Sequence, residues 1–176
     1  MKRIILIYGS IAGVIVATCT ALTMIATPHG NSASMAVGYL SMLISLSLVF
    51  AGVKKYRDEQ LGGVIGFSTA LGVGFGISLI ATLFYALGWE AYLYATDYRF
   101  MPSYVESTIA AKVAAGASTD EIAKLTTEMQ AFAKTYENPA LRLLITMSEM
   151  APVAIIVTLI SATLLRKTDF MPARVG

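Results

Sequence analysis

The distribution of charge along the chain constrains its fold more than any other feature. Residues 4–53 contain no Asp, Glu, Lys or Arg, and neither do residues 60–89. Residues 143–165 contain one charged residue, Glu149. The chain as a whole is 14% charged, against about 25% for a soluble domain, and the charges it has are confined to short intervening segments. A water-soluble globule needs charge spread over its whole surface, so this pattern excludes one. It points to an all-α, polytopic membrane protein, because uncharged apolar runs of this length suit helical crossings of a bilayer.

About 20 apolar residues in helical form cross a bilayer core. The first uncharged run is too long for one crossing and suits two, broken where turn formers gather at Thr27, Pro28, His29, Gly30, Asn31 and Ser32. The expected spans are about 4–26, 35–53, 64–94 and 141–165. Span three is longer than a bilayer requires and should tilt or project. Lys2 and Arg3 give span one a signal-like start. Signal cores are only about 7–15 residues, however, and this run continues to Ala26, so it is read as a retained anchor.

Basic residues fix the expected orientation. Lys2 and Arg3, then Lys54, Lys55 and Arg57 in a short second loop, then Arg166, Lys167 and Arg174 all fall on one side of four spans. That side should be the cytoplasm, with both termini in it. The segment 95–139 is richer in acid than in base and should lie outside.

This outside segment reads as a helical hairpin inserted between spans three and four. Ser103 with Glu106, and Ser118 with Glu121, are spaced as capping boxes. Gly116 is placed to end the first helix. Ile122, Leu125, Met129, Phe132 and Tyr136 form a narrow helical stripe in the second, and Asn138-Pro139 ends it. The hairpin is expected either to pack on itself or on the outer ends of the spans, or to form a docking surface for a periplasmic or membrane protein partner or for lipid headgroups. Its balanced charges do not resemble a basic lipid-surface helix.

Within the spans, Gly62/Gly66 and Gly72/Gly76 have the spacing that lets membrane helices approach closely. They are expected to form a packing seam, either in the monomer's own bundle or in a homo-oligomer. Gly9/Gly13 has the same spacing and is set down to the ordinary frequency of glycine in membrane helices. Glu90 and Glu149 are the ionisable residues of interest, since charge in lipid is costly and usually faces protein or water. Glu149 lies roughly 12 Å of helical rise inside span four. Arg142 stands seven residues before it, on the same face, and Pro152 three residues after it can free the carbonyl of Ser148. Glu90, Arg142 and Glu149, with Ser148 and the tyrosines at 85, 92 and 94, are read either as an interhelical clasp or as an outward-facing pocket for a cation or a proton. Trp89, Tyr92, Tyr94 and Tyr98 read as aromatic-belt residues.

Several classes of function find no support. One histidine and the single cysteine, Cys19, cannot make a conventional zinc site or an internal disulfide. No basic–aromatic patch suggests nucleic acid. No catalytic set and no cofactor motif is present, so an enzyme is not expected. No internal symmetry suggests inverted repeats.

The stretch from Phe50 through Lys54, Lys55, Tyr56, Arg57, Asp58 and Glu59 to Gly63 resembles the second loop of a family of bacterial membrane proteins catalogued as domain of unknown function 4199. So do Gly66-Phe67-Ser68, the run from Ala81 to Trp89-Glu90, Tyr136 to Pro139, Glu149 to Val153, and Leu159 to Ala162. The resemblance covers nearly the whole chain. It implies four helices in a bacterial inner membrane and marks the Glu90 and Glu149 motifs and the 54–60 loop as characteristic parts. It implies no activity, substrate or cofactor. The expectation is a structural or accessory membrane subunit, with a small transporter or ion- or proton-conducting protein as the alternative.

Overall fold

The first uncharged run folds as two helices in the computed structural model, which describes residues 1–26 and 32–173. These are α1 (Lys2–Ala26) and α2 (Ser32–Gln60). They are followed by α3 (Phe67–Ala95), α4 (Phe100–Ala114), α5 (Thr119–Glu137) and α6 (Pro139–Leu165). No strand occurs among the described residues. Helices α1, α2, α3 and α6 are long and apolar enough to cross a membrane. The turn expected at 27–32, with His29, lies almost wholly outside the described residues, as does Arg174.

Helix α2 runs seven residues beyond the expected end of span two. The segment 54–60, expected to be a loop, is its last two turns. Lys54 with Asp58 and Lys55 with Glu59 form i,i+4 ion pairs along it, the arrangement that supports an exposed helical end. The chain then turns at Gly62 and Gly63, whose φ values are +65° and +93°, a region that glycine enters without steric cost.

Helix α3 is the hub of the bundle, packing against α1, α2 and α6. It lies parallel to α1 in strict register. Ile5 meets Gly76, Gly9 meets Ile80, Gly13 meets Phe84 and Ala17 meets Gly88. Each pair is four residues on from the last, so one i±4 row of each helix seats in the other. A methyl group added at Gly13 would stand 2.4 Å from Phe84 Cβ, and one at Gly9 2.6 Å from Ile80 Cβ. The glycines therefore set the helix separation. Against α6, α3 is antiparallel, and Ser78 and Thr158 share a buried hydrogen bond of 3.2 Å between them. Val16, Leu46, Val49, Val73, Ile77 and Met150 fill the core.

Within the single chain only part of the expected glycine seam is packed. Gly76 does pack, against Ile5, but an added Cβ at Gly62, Gly66 or Gly72 meets nothing within 4 Å. Helix α3 begins at Phe67, so Gly62 and Gly66 belong to the preceding turn. Gly72 lies on the exposed face of α3.

The hairpin is formed by α4 and α5, which pack on each other, with α5 also against α6. The second expected capping box is present. Ser118 N–H donates to Glu121 at 2.9 Å, and Glu121 N–H donates to Ser118 Oγ at 3.4 Å. The hydrogen bonds from Ser118, with Lys112 adding to them, hold the Glu121 carboxyl below its usual range. The first expected box is not used. Helix α4 starts earlier, at Phe100, behind Arg99, which makes no side-chain cap. Asp97 and Tyr98, at φ +51° and +56°, turn the chain directly out of α3. Asn138 ends α5 and caps α6, its side chain accepting from Ala140 and Leu141 N–H ahead of Pro139 in the first turn.

Candidate functional site

Two polar centres occupy the hairpin end of the bundle, and the three residues expected to cluster there are divided between them. The first is built on Arg142, in the first turns of α6. Its guanidinium donates twice to Glu90 of α3, Nε to Oε1 and Nη2 to Oε2, both at 2.7 Å. Nη1 donates to the backbone carbonyl of Tyr136 on α5 at 3.1 Å. The group lies over the rings of Tyr98 and Tyr136, 5.2 and 5.8 Å from their centroids. The Arg142 side chain is 6% exposed and that of Glu90 26%. Arginine suits this position because its planar fork matches a carboxylate in two bonds and still reaches a third acceptor. One side chain thereby ties α3, α5 and α6 together.

An aromatic cluster completes this junction. Trp89, nearly two turns from the end of α3, is buried. Its indole N–H donates to the Tyr136 hydroxyl, and its ring stacks with Tyr92 at 5.3 Å and meets Phe100 edge-on at 4.7 Å. Burial raises the Tyr136 phenol above its ordinary value. Trp89 is thus not the belt residue that its position in the sequence suggests but the core of the joint between hairpin and spans. Tyr94, at 77% exposed, keeps the orientation of a belt residue. A cleft of about 600 Å³ lies over Arg142 between α4 and α5, walled by Leu93, Met101, Val105 and Ala133.

The second centre is Glu149. Arg142 is absorbed by Glu90, and among the described residues Glu149 forms no ion pair. Its donor is the Tyr85 hydroxyl on α3, at 3.0 Å. Ser148, also expected here, turns back to donate to the Ile145 carbonyl at 2.6 Å. Glu149 faces a cavity of about 310 Å³ lined by residues of all four long helices and of the hairpin. Tyr92 and Tyr94 are not among its walls.

At the opposite end of the bundle the sequence concealed a third centre, Arg57. It reads as one more basic residue of a flanking segment, yet its side chain is fully buried. Nε donates to Asp58 at 2.7 Å, and Nη1 donates to Phe170 O at 2.9 Å and Leu165 O at 3.5 Å. Nη2 donates to Met171 O. The last carbonyl of α6 and the turn after it are therefore held by α2. The only available signal was the run Lys-Lys-Tyr-Arg-Asp-Glu itself, in which Asp58 can be shared by Lys54 and Arg57.

No curated protein and no solved structure matches the chain. A family profile described as a protein of unknown function, DUF4199, matches residues 7–167. With nearly the entire chain covered, from the second turn of α1 to just past the end of α6, the protein belongs to the DUF4199 family.

Proposed function

We propose that this is a structural or accessory protein of the bacterial inner membrane, with both termini in the cytoplasm and a rigid helical hairpin held on the periplasmic face. The observation that carries the reading is the threefold grip of Arg142 on Glu90 of α3 and on Tyr136 of α5. A buried charge with its acceptors all in place fixes geometry, and here the fixed geometry is the seat of the hairpin on the spans. The pair is mutually neutralised, which favours a clasp over a conducting group. The reading includes no catalytic step.

The only tryptophan of the chain, Trp89, sits in this joint and reports its state. In maltoside micelles, Arg142→Met should red-shift Trp89 emission and cost about 3 kcal/mol, since breaking one side of a buried pair strands the other charge. Glu90→Gln together with Arg142→Met should cost less than the sum of the two single changes, with a coupling above about 1 kcal/mol. Additive losses with unshifted emission would show that the hairpin is not held by this clasp.

A further inference from the structure

The Glu149 cavity has features that the clasp does not account for. Glu149 lies about 24 Å of helical rise from Leu165, at the other end of α6, so in a bilayer with a core of about 30 Å it falls within the hydrocarbon region, toward the hairpin side. Its side chain is nevertheless exposed on the surface of α6. Tyr39 of α2, another wall of the cavity, is 59% exposed. The cavity therefore opens between α2 and α6, sideways at membrane depth. The Tyr85 hydroxyl donates to one carboxylate oxygen, Oε2, and no other donor among the described residues reaches the carboxylate. The remaining walls are mainly aromatic and methionine side chains, including Trp89, Phe100, Tyr104 and Tyr136.

A carboxylate in lipid calls for a partner. Every basic side chain of the described spans is engaged elsewhere or lies at the ends of the bundle, so no described residue supplies the countercharge and the site is open to a cationic ligand. Aromatic faces around an anion favour a cation whose charge is spread over carbon-bound hydrogens, as in an alkylated ammonium. A volume of about 310 Å³ is at the small end of ligand pockets, which run from about 300 Å³ upward. Metal ions fit the site poorly, since a single carboxylate among rings cannot replace their hydration shell.

We propose that the cavity at Glu149 binds an organic ammonium group carried on an apolar body, admitted from the membrane between α2 and α6. Glu149 supplies the countercharge, Tyr85 orients the carboxylate, and the aromatic walls cover the alkyl groups. Glu90 and Arg142 are not among the cavity's walls, but the hairpin that they seat supplies Phe100, Tyr104 and Tyr136, so the proposal rests on a seated hairpin, and native Trp89 emission in Glu149→Gln separates loss of the site from loss of the clasp.

The test is calorimetric titration of the purified protein in maltoside micelles with benzyltrimethylammonium. Saturable binding is expected, weakened at least about tenfold by Glu149→Gln, the loss of a charge-assisted contact. Tyr85→Phe should weaken it less. Neopentylbenzene, the uncharged isostere of the probe, should bind the wild-type protein far more weakly. Equal affinity of the two probes for the wild type overturns the proposal without recourse to any variant, as does unchanged binding to a Glu149→Gln protein whose Trp89 emission is native. Short-chain phosphatidylethanolamine and phosphatidylglycerol, added as competitors, separate the sources of the ammonium. Displacement by the former alone identifies a lipid headgroup, and displacement by neither identifies a free amine; both sustain the site. Displacement by phosphatidylglycerol as strongly as by phosphatidylethanolamine overturns it, since the site would then be reading acyl chains.

Discussion

At the scale of the residue, spacing in the sequence shows that glycines can form a seam but not which of them do. Gly9/Gly13 and Gly72/Gly76 have identical spacing. Three of these four pack, and Gly72 does not, because a glycine's role depends on the phase of its helix relative to a neighbour that the sequence does not locate. The α1–α3 register decides it. Small residues of α1 at 9 and 13 receive Ile80 and Phe84, and the small residue at 76 receives Ile5. Gly13→Ala should therefore force α1 away from the Phe84 side chain and the Ala81 backbone and destabilise the protein by about 1–3 kcal/mol, as overpacking does. Gly72→Ala, with open space around it, should be neutral or stabilise α3 by up to about 1 kcal/mol through helix propensity. Thermal melts of the two variants in the same detergent check both. Comparable losses would mean that the face of Gly72 is covered.

At the scale of the element, helices were legible wherever an uncharged run or a local cap defines them. The four apolar helices and the Ser118 capping box stand close to where periodicity and residue type put them. Boundaries were missed where the deciding contacts are distant. A charged segment reads as a loop, yet 54–60 continues α2, because Lys54 and Lys55 pair down the helix and Arg57 turns inward to meet the end of α6. Since the acceptors lie over a hundred positions away in the chain, no local pattern reveals them. Arg57→Ala should release the segment after α6, and Arg57→Lys should release it partly, since an ammonium cannot span the same fan of acceptors. Trypsin should then cut after Arg166 and Lys167 at least about fivefold faster than in the wild type, as expected for a local opening eased by a kcal/mol or more. Trp89, at the other end of the bundle, should keep its emission. An unchanged cleavage rate would show that the buried guanidinium does not hold this segment.

At the scale of the whole molecule, one buried arginine pins each end of a bundle whose middle is held by close apolar packing. Arg57 ties α2 to the end of α6, and Arg142 ties the start of α6 to α3 and the hairpin. The asymmetry of the remaining charge then sets the proposed direction of insertion. Lys2, Arg3, Lys54, Lys55, Arg166 and Lys167 gather at the end of the termini, whereas Glu106, Asp120, Glu121, Glu128 and Glu137 lie on the hairpin. Basic flanks are retained on the cytoplasmic side during insertion, so the hairpin should face outward. Thr127 is exposed on α5 and Lys167 is exposed just beyond α6, and each accepts a cysteine without disturbing a packed contact. In a Cys19→Ser background, intact cells treated with a membrane-impermeant maleimide should label a cysteine at 127. A cysteine at 167 should be labelled only after the membrane is opened. The reverse pattern would invert the molecule, placing the hairpin and the Glu149 cavity toward the cytoplasm. Labelling of both positions in intact cells would mean an odd number of crossings, which the parallel register of α1 with α3 and the antiparallel register of α3 with α6 do not allow.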